Sequence, residues 1–224
     1  MISSPPAPVV LTGRHIVLEP LAACHAEGLF AALDDERVWA AGYGGGPAGR
    51  PRDPAGMAER VSAAVTAARG GVRQGYVVRL ADESDLGAAG TVVGTSSLGD
   101  WDLFHERVHL GWTAYGPRWW ATVVNAESKL LLLGHAFDDC HFGRVKLQTD
   151  LLNTRSQAAI ERLGATREGV LRRHMRRADG TFRDTVVFSV LVDEWPGVRA
   201  GLLARVTTGT GQHGTGQQGD AGCA

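Results

Sequence analysis

A short segment, residues 118–125, has the pattern of a helix start that could bind an anion. It lies between an apolar, strand-like segment at 108–115 and an apolar, helix-like segment at 126–137. The first turn of a helix leaves backbone N–H groups without intrahelical partners, and the helix dipole favours phosphate there. Asn125 is the predicted N-cap, and Glu127 adds a carboxylate to the predicted first turn. On this pattern alone, an ordinary strand-to-helix turn and a phosphate site both remain open.

The histidines and cysteines do not form a metal motif. His105 and His109 are four residues apart, but a strand rather than a helix is predicted there, and no third ligand is nearby. Cys24, Cys140 and Cys223 are too scattered for a zinc site or a disulfide framework. We therefore predict no metal and a reduced, cytoplasmic location.

The bulk composition predicts a globular protein of one domain. The chain has 224 residues, of which 44% are hydrophobic, so it can bury a full core. Its formal net charge of −1 gives no general attraction to nucleic acid or acidic membranes. No apolar run reaches the roughly 18 residues that span a bilayer, and the N-terminus lacks the pattern of a signal peptide. We expect no membrane partner. Five arginines between residues 172 and 183 favour a solvated strand edge over an RNA site.

The elements that must position these residues follow from hydrophobic periodicity and from helix-end signals. Asp53 followed by proline predicts one helix start, Asn153 predicts another, and Gly70 ends a helix. The predicted order is β α α β β β α β α β β, and a short helix follows the last strand. The predicted strands are 14–20, 76–80, 91–98, 108–115, 145–150, 165–177 and 185–192, and the predicted helices are 22–33, 53–69, 126–137, 153–163 and 193–205.

The remaining segments are predicted to lie outside these elements. A proline-rich leader at 1–11 is expected to be flexible or loosely docked. Residues 42–50, called the glycine loop below, are expected to form a mobile lid or linker, because no strand and no lysine motif flank the glycines as in a phosphate loop. Residues 207–224 are predicted to be a disordered tail. These limits leave one domain at 12–206.

The chain resembles the GNAT superfamily of acyl-CoA-dependent N-acetyltransferases, and more narrowly its RimJ/RimL branch. The resemblance rests on residues 111–137, on 146–150, on 153–165, on 168–172 and on 179–186, and it covers about residues 12–197. It implies an α/β (α+β) fold with a mixed, mostly antiparallel central sheet flanked by helices. In that fold two splayed strands form the acyl-CoA cleft. The donor implied is acetyl-CoA, and no metal is implied.

The resemblance also implies which residues bind the donor. The pantetheine arm would follow the strand that ends at Tyr115, and the diphosphate would lie on residues 120–125. Ala121 and Val123 stand where the superfamily usually has glycine, so weakened or displaced CoA binding is expected. The implied donor-binding residues are Trp112, Thr113, Ala114, Trp120, Ala121, Thr122, Val123, Val124, Asn125, Asn153 and Ser156.

The catalytic roles implied by the resemblance fall on three residues. Ser156 would hydrogen-bond the donor sulfur and steady the departing thiolate, although a serine in a first helical turn is also common without any function. His109 stands where the branch often has a glutamate, and its imidazole could serve as the general base. Glu106, near the mouth of the same strand, is the rival base. The alternative is that His109 only packs or bonds a backbone carbonyl.

The predicted function is therefore acetyl transfer from acetyl-CoA to a primary amine by direct attack in a ternary complex. The acceptor is left open between a protein N-terminus and a small-molecule amine, and a homodimer is possible. The alternative is a non-catalytic CoA- or ligand-binding module of GNAT fold with a degenerate diphosphate loop. A protein associated with RNA is a weaker alternative, because the net charge is near neutral.

Overall fold

The computed structural model describes residues 2–40 and 42–208. Eight strands form one sheet in the order β1-β2-β3-β4-β5-β6-β8-β7, and every neighbouring pair is antiparallel except β5 with β6. Helices flank this sheet, so the predicted mixed, mostly antiparallel α/β fold is confirmed. The strands are Leu11–Thr12 (β1), Ile16–Pro20 (β2), Arg73–Leu80 (β3), Val92–Asp102 (β4), Arg107–Tyr115 (β5), Arg144–Asp150 (β6), Thr166–Arg176 (β7) and Phe182–Leu191 (β8). The α-helices are Ala26–Leu33 (α1), Glu36–Ala40 (α2), Pro54–Arg69 (α3), Val123–Gly134 (α4), Thr154–Glu161 (α5) and Trp195–Thr208 (α6).

The parallel pairing of β5 with β6 is short. It joins Arg107 to Arg144, Val108 to Val145 and His109 to Lys146. Both strands continue beyond this point without further pairing to each other, so they splay apart. The sheet therefore opens into a wedge on the far side of His109.

A β-bulge in β5 accompanies this opening. Thr95 pairs with Ala114 and Ser97 pairs with Gly111, so two residues of β5 lie opposite one residue of β4. Trp112, the first of those two, has a φ of 49°. A bulge of this kind bends its strand and re-aims the side chains around it.

The helices cover the sheet through two packed pairs. Helices α1 and α3 pack on each other and on β4 and β3, respectively, while α4 packs on α6 and reaches β1 and β2. The largest fully buried side chains of the described residues include Trp39, Tyr76, Phe142 and Phe188. The Trp39 indole N–H donates a hydrogen bond to the Leu33 carbonyl at 2.9 Å, so this buried polar group is satisfied.

The predicted start of α4 is wrong by three residues. The helix begins at Val123, and its N-cap is Thr122 rather than Asn125. The Thr122 hydroxyl accepts a hydrogen bond from the Val124 amide at 3.4 Å and donates one to the Trp119 carbonyl at 2.7 Å. Thr122 has the extended backbone of an N-cap, and Asn125 lies inside the first turn.

Glu127 also has a different role from the one predicted. It is buried, and its carboxylate accepts backbone amide hydrogen bonds from Arg14 at 2.6 Å, His15 at 2.9 Å and Ile16 at 3.1 Å. It therefore fastens α4 to the turn between β1 and β2 instead of compensating the dipole of its own helix. Backbone N–H groups satisfy this buried charge.

The helix-end signals at the other predicted positions are confirmed. The Asp53 carboxylate accepts from the Gly56 amide at 2.8 Å at the start of α3, and Gly70 is the C-cap of that helix. At the start of α5, the Asn153 side chain accepts from the Ser156 amide at 3.0 Å. These interactions are local in sequence, which is why the residue pattern was sufficient to predict them.

The segments predicted to be irregular have fixed contacts where the structure describes them. In the leader, the Ser4 amide donates to the Cys140 carbonyl at 3.0 Å, and the Ala7 carbonyl accepts from the Tyr76 hydroxyl at 3.1 Å. The glycine loop contains two short 3₁₀ turns, and its Gly45 carbonyl accepts from the Ala178 amide at 3.1 Å. Most of the predicted tail, residues 209–224, lies outside the described part. No helix of the described residues has the length and apolar character needed to cross a membrane.

Candidate active site

A cavity of about 1200 Å³ occupies the wedge between β5 and β6. Its walls come from the second half of β5, the start of α4, the end of β6 and helix α5. The glycine loop and the turn between β7 and β8 close it on another side, through Gly45 and Ala178. A cavity of this size exceeds what a small metabolite needs and suits a long ligand.

Most residues expected to bind the donor lie around this one cavity. They come from three separate segments of the chain, which the splay of β5 and the caps of α4 and α5 bring together. The cavity-lining members of the expected set are Trp112, Thr113, Ala114, Trp120, Ala121, Thr122, Asn125, Asn153 and Ser156.

Val123 and Val124 are the exceptions. Both side chains are buried in the hydrophobic core, so neither lines the cavity. In the first turn of α4 the Val124 amide donates to the Thr122 hydroxyl. Ala121 is different, because its φ of 59° lies in the left-handed region that favours glycine. The expectation that Ala121 and Val123 weaken or displace CoA binding stays a prediction.

The α5 wall of the cavity is rich in arginine and aromatic surface. The Arg155 guanidinium lies 3.4 Å from the centroid of the Trp120 ring, whose indole N–H donates to the Tyr115 carbonyl at 2.7 Å. Arg162, two turns further along, and Arg205 of α6 line the same cavity. Together with the start of α4, these three cations form a surface suited to a polyanion.

His109 and Asp100 form a hydrogen-bonded pair on the cavity wall. The His109 Nδ1 lies 3.3 Å from the Asp100 Oδ2, and the ring is buried. Its Nε2 is buried without a hydrogen-bond partner among the described residues. A Cβ at position 111 would lie 2.5 Å from this nitrogen, so Gly111 leaves the ring its space. Asp100 can therefore hold the tautomer that presents a lone pair at Nε2.

The electrostatic surroundings keep His109 neutral. Burial lowers the pKa of His109, the Asp100 hydrogen bond raises it, and the positive charge of Lys146 lowers it again. The net direction is downward from the ordinary value of 6.5. A neutral imidazole with an unused nitrogen is a competent proton acceptor at physiological pH.

Glu106 and His105 lie away from this pair. Glu106 is exposed in the turn before β5, where its carbonyl accepts from the Gly143 and Arg144 amides, and it does not line the cavity. His105 is exposed and bonded to Asp102 at 2.8 Å. In residues 2–40 and 42–208, no group of three or more metal-ligating side chains is arranged around a common point.

The family model described as the acetyltransferase (GNAT) domain matches residues 15–166. The chain belongs to the GNAT acetyltransferase family. Members of this family transfer acetyl groups and use acetyl-CoA as the donor. The resemblance seen in the sequence is thereby confirmed at the level of the family.

Solved structures agree with this assignment. An inferred acetyltransferase from T. thermophilus is 35% identical, with a TM-score of 0.77 over 89% of this chain and 98% of that chain. A GCN5-related N-acetyltransferase from Brucella melitensis is 27% identical, with a TM-score of 0.80 over 92% and 88%. Mycobacterium smegmatis RimJ in complex with CoA-disulfide shares the fold at 18% identity, with a TM-score of 0.69 over 89% and 96%. No curated protein matches the chain.

Lys129 is a site residue of this GNAT protein that the sequence reasoning missed. Its Nζ donates to the Thr113 hydroxyl at 2.8 Å and to the Ser96 hydroxyl at 3.4 Å, and it lines the cavity. No carboxylate of the described residues forms an ion pair with it. Burial lowers the pKa of Lys129 to about 7.

Helical spacing could have revealed Lys129. It lies three residues after Ala126 and four before Leu133, two residues that are buried on the inner face of α4. A lysine on such a face is unusual, since buried ammonium groups are costly. Asp100 had no comparable signal, because its pairing with His109 depends on the register of β4 and β5.

The two departures from glycine near the start of α4 should respond oppositely to glycine substitution. Ala121→Gly removes the strain of a left-handed backbone but adds conformational entropy to the unfolded chain. We expect the free energy of unfolding to rise by about 0.5–1 kcal/mol. Val123→Gly removes a buried side chain and weakens the first helical turn, so we expect the free energy of unfolding to fall by about 2–3 kcal/mol. Denaturant unfolding of both variants checks this. Destabilisation by Ala121→Gly comparable to that of Val123→Gly would contradict it.

Replacing Lys129 by methionine should stabilise the protein near neutral pH. Lys129→Met removes a buried amine, and the Ser96 and Thr113 hydroxyls keep their mutual hydrogen bond of 2.7 Å. We therefore expect the free energy of unfolding to rise by about 1–3 kcal/mol. The folded pKa is about 7 and the ordinary value is 10.5, so the wild type gains stability as the pH rises between them.

The stability difference between Lys129→Met and the wild type should therefore shrink from pH 7 to pH 10. Chemical denaturation across this range measures it. Lys129→Arg is the control, because it keeps its charge and should be less stable than the wild type throughout. A methionine variant that is less stable than the wild type at pH 7, or a stability difference that does not change with pH, would show that the buried amine does not destabilise the protein.

Proposed function

We propose that this GNAT protein transfers the acetyl group of acetyl-CoA to a primary amine by direct attack in a ternary complex. The observation that carries the proposal is the wedge between β5 and β6. It joins the arginine-rich α5 wall and the start of α4 to the His109–Asp100 pair in one cavity. The CoA-disulfide complex of the RimJ neighbour, which shares the fold, supports this choice of ligand.

The residues around the cavity fit such a donor. The amides that begin α4 are suited to its diphosphate, and the Arg155–Trp120 stack offers a cation and a ring face to its nucleotide part. Asn153, at the start of α5, is the proposed contact to the pantetheine arm, as the resemblance implies. Acetyl-CoA supplies an acetyl group that is activated as a thioester.

His109 is the proposed general base. The amine nitrogen forms a bond to the acetyl carbon as the bond between that carbon and sulfur breaks, and the electron pair of that bond remains on sulfur. The nitrogen loses one proton, which can pass to the His109 Nε2, a nitrogen without a hydrogen-bond partner among the described residues. Asp100, bonded to Nδ1, would stabilise the resulting imidazolium.

The departing thiolate needs a donor or a cation. Ser156, in the first turn of α5, is the proposed hydrogen-bond donor, and Lys129 places an amine, whose pKa burial lowers to about 7, in the same cavity. Holding the two reactants in one geometry contributes much of the rate in a reaction without a covalent enzyme intermediate. We prefer this reading to a non-catalytic CoA module, because the Val123 side chain is buried in the core and the His109 imidazole lines the cavity with an Nε2 that has no partner among the described residues.

The acceptor is proposed to be a protein N-terminus or a small amine, as the resemblance to the RimJ/RimL branch implies. We also propose a cytoplasmic location. The described cysteines, Cys24 and Cys140, are both free thiols, as is usual in a reducing compartment.

The pH dependence of acetyl transfer should identify the base. Release of CoA thiol from acetyl-CoA is measured with an amine panel, and kcat/KM should fall at acid pH as His109 is protonated, with a midpoint below 6.5 because its pKa is lowered. Asp100 raises that pKa, so Asp100→Asn should move the acid limb to lower pH and reduce the rate.

His109→Gln should remove this limb and lower kcat/KM by roughly 10²- to 10⁴-fold. Ionisation of the amine substrate is common to all variants, so the difference between profiles isolates the imidazole. An acid limb that survives in His109→Gln, or one that moves upward in Asp100→Asn, is incompatible with this assignment. No thiol release with any amine would defeat the proposed function itself.

A further inference from the structure

Two arginines on neighbouring elements line the cavity beside the glycine loop. Arg60 projects from α3, with its guanidinium carbon 5.1 Å from the Trp39 ring centroid and 6.0 Å from that of Tyr43. Arg73 projects from the start of β3, with its guanidinium carbon 5.0 Å from the Trp112 ring centroid. In both cases aromatic contacts position the guanidinium.

Neither arginine has an anionic partner in the part of the chain that is described. No carboxylate lies within ion-pair distance of Arg60 or Arg73, and the buried Nε of Arg73 has no hydrogen-bond partner there. Arg60 donates a hydrogen bond to the Gly49 carbonyl at 3.2 Å, and its guanidinium also interacts with the Tyr43 hydroxyl. Burial lowers the pKa of Arg73, the Tyr43 phenol and the Asp100 carboxylate raise it, and the positive charge of Arg60 lowers it. The two cations therefore repel each other in a partly desolvated place.

The carboxylates of the cavity are already engaged elsewhere. Asp100 is bonded to His109, and Asp150 accepts two hydrogen bonds from Arg177, at 2.7 and 3.2 Å. The charge at this side of the cavity is thus strongly positive. Its arginines are Arg60, Arg73, Arg176, Arg177 and Arg183, and its only lining carboxylates among the described residues are those of the two aspartates.

Arg73 lies near His109, the proposed base. Arg73 contacts one side of the Trp112 ring system, and the His109 ring lies 4.8 Å from the same ring system, centroid to centroid. Arg73 also pairs in the sheet with Gly99, the residue before Asp100. The Trp112 ring therefore neighbours both the guanidinium and the imidazole, and all three side chains line the same cavity.

We propose that Arg60 and Arg73 bind a carboxylate of the acceptor, so that the acceptor is a primary amine that also carries a carboxylate group. This inference rests on the proposed acetyl transfer and specifies its substrate class as amino acids or short peptides with a free carboxylate. Stacking uses the faces of the guanidinium groups and leaves N–H donors in their planes for carboxylate oxygens. Binding an anion also removes the repulsion between two partly desolvated cations.

Matched acceptors test the proposal. α-Amino acids, ω-amino acids and dipeptides are each compared with their primary amides, and kcat/KM is measured by CoA thiol release from acetyl-CoA. We expect at least one acid to exceed its amide about tenfold. For α-amino acids the amide has the less basic amine, and hence more free base near neutral pH, so this preference runs against intrinsic reactivity.

The readout in the variants is the ratio of acid to amide, which does not depend on the fraction of active enzyme. Arg73→Gln and Arg60→Gln should each bring the ratio close to one. Arg69→Gln, an exposed substitution on the same helix as Arg60, should keep the wild-type ratio.

Three outcomes overturn the proposal. If the wild type uses amides as well as it uses acids, the carboxylate proposal fails while acetyl transfer stands. The same conclusion follows if the preference for acids survives in both arginine variants. The absence of thiol release with every acid and amide would overturn this inference, and the absence of release with every amine tested would remove the proposed function as well.

Discussion

The short parallel pairing between β5 and β6 is the constraint on which the site depends. Three residue pairs hold the two strands together, and the bulge at Trp112 bends β5 beyond them. A continuous sheet would have filled this space with backbone hydrogen bonds. Because the strands diverge, the backbone of β5 and the start of α4 both border one cavity. His109 lies at the last pair, where the wedge begins.

The charges of the cavity are arranged around this opening. Arginines line it on the α5 side and beside the glycine loop, and Lys129 also lines it, with the Thr113 and Ser96 hydroxyls as its hydrogen-bond partners among the described residues. Buried or stacked cations without anions reduce the stability of the free protein. An anionic donor would pair with the cations on the α5 side, and an acceptor with a carboxylate would pair with those beside the glycine loop. The protein is therefore expected to be less stable without these ligands, and binding them is expected to stabilise it.

Part of this architecture could be predicted from the sequence, because it depends on local interactions. Strand alternation, the caps at Asp53 and Asn153 and the stop at Gly70 are determined by neighbouring residues, and all are found. The residue pattern also led to the family. The start of α4 was misplaced because Thr122 and Asn125 are both good caps, and the choice depends on the bond of Thr122 to Trp119.

Other features were not predictable from one sequence, because they join distant segments. Glu127 bonds to amides more than a hundred residues away, and the His109–Asp100 pair depends on the register of two strands. Arg60 and Arg73 come together only after α3 folds back beside β3.

Calorimetric titration of acetyl-CoA into the folded protein tests the central claim most directly. The account predicts one saturable site per chain, with a dissociation constant between about 1 μM and 1 mM. Asn153→Asp keeps a good N-cap for α5 but replaces the amide, so it should bind at least tenfold more weakly at an unchanged thermal midpoint. A folded wild-type protein that shows no saturable binding of acetyl-CoA would contradict the account.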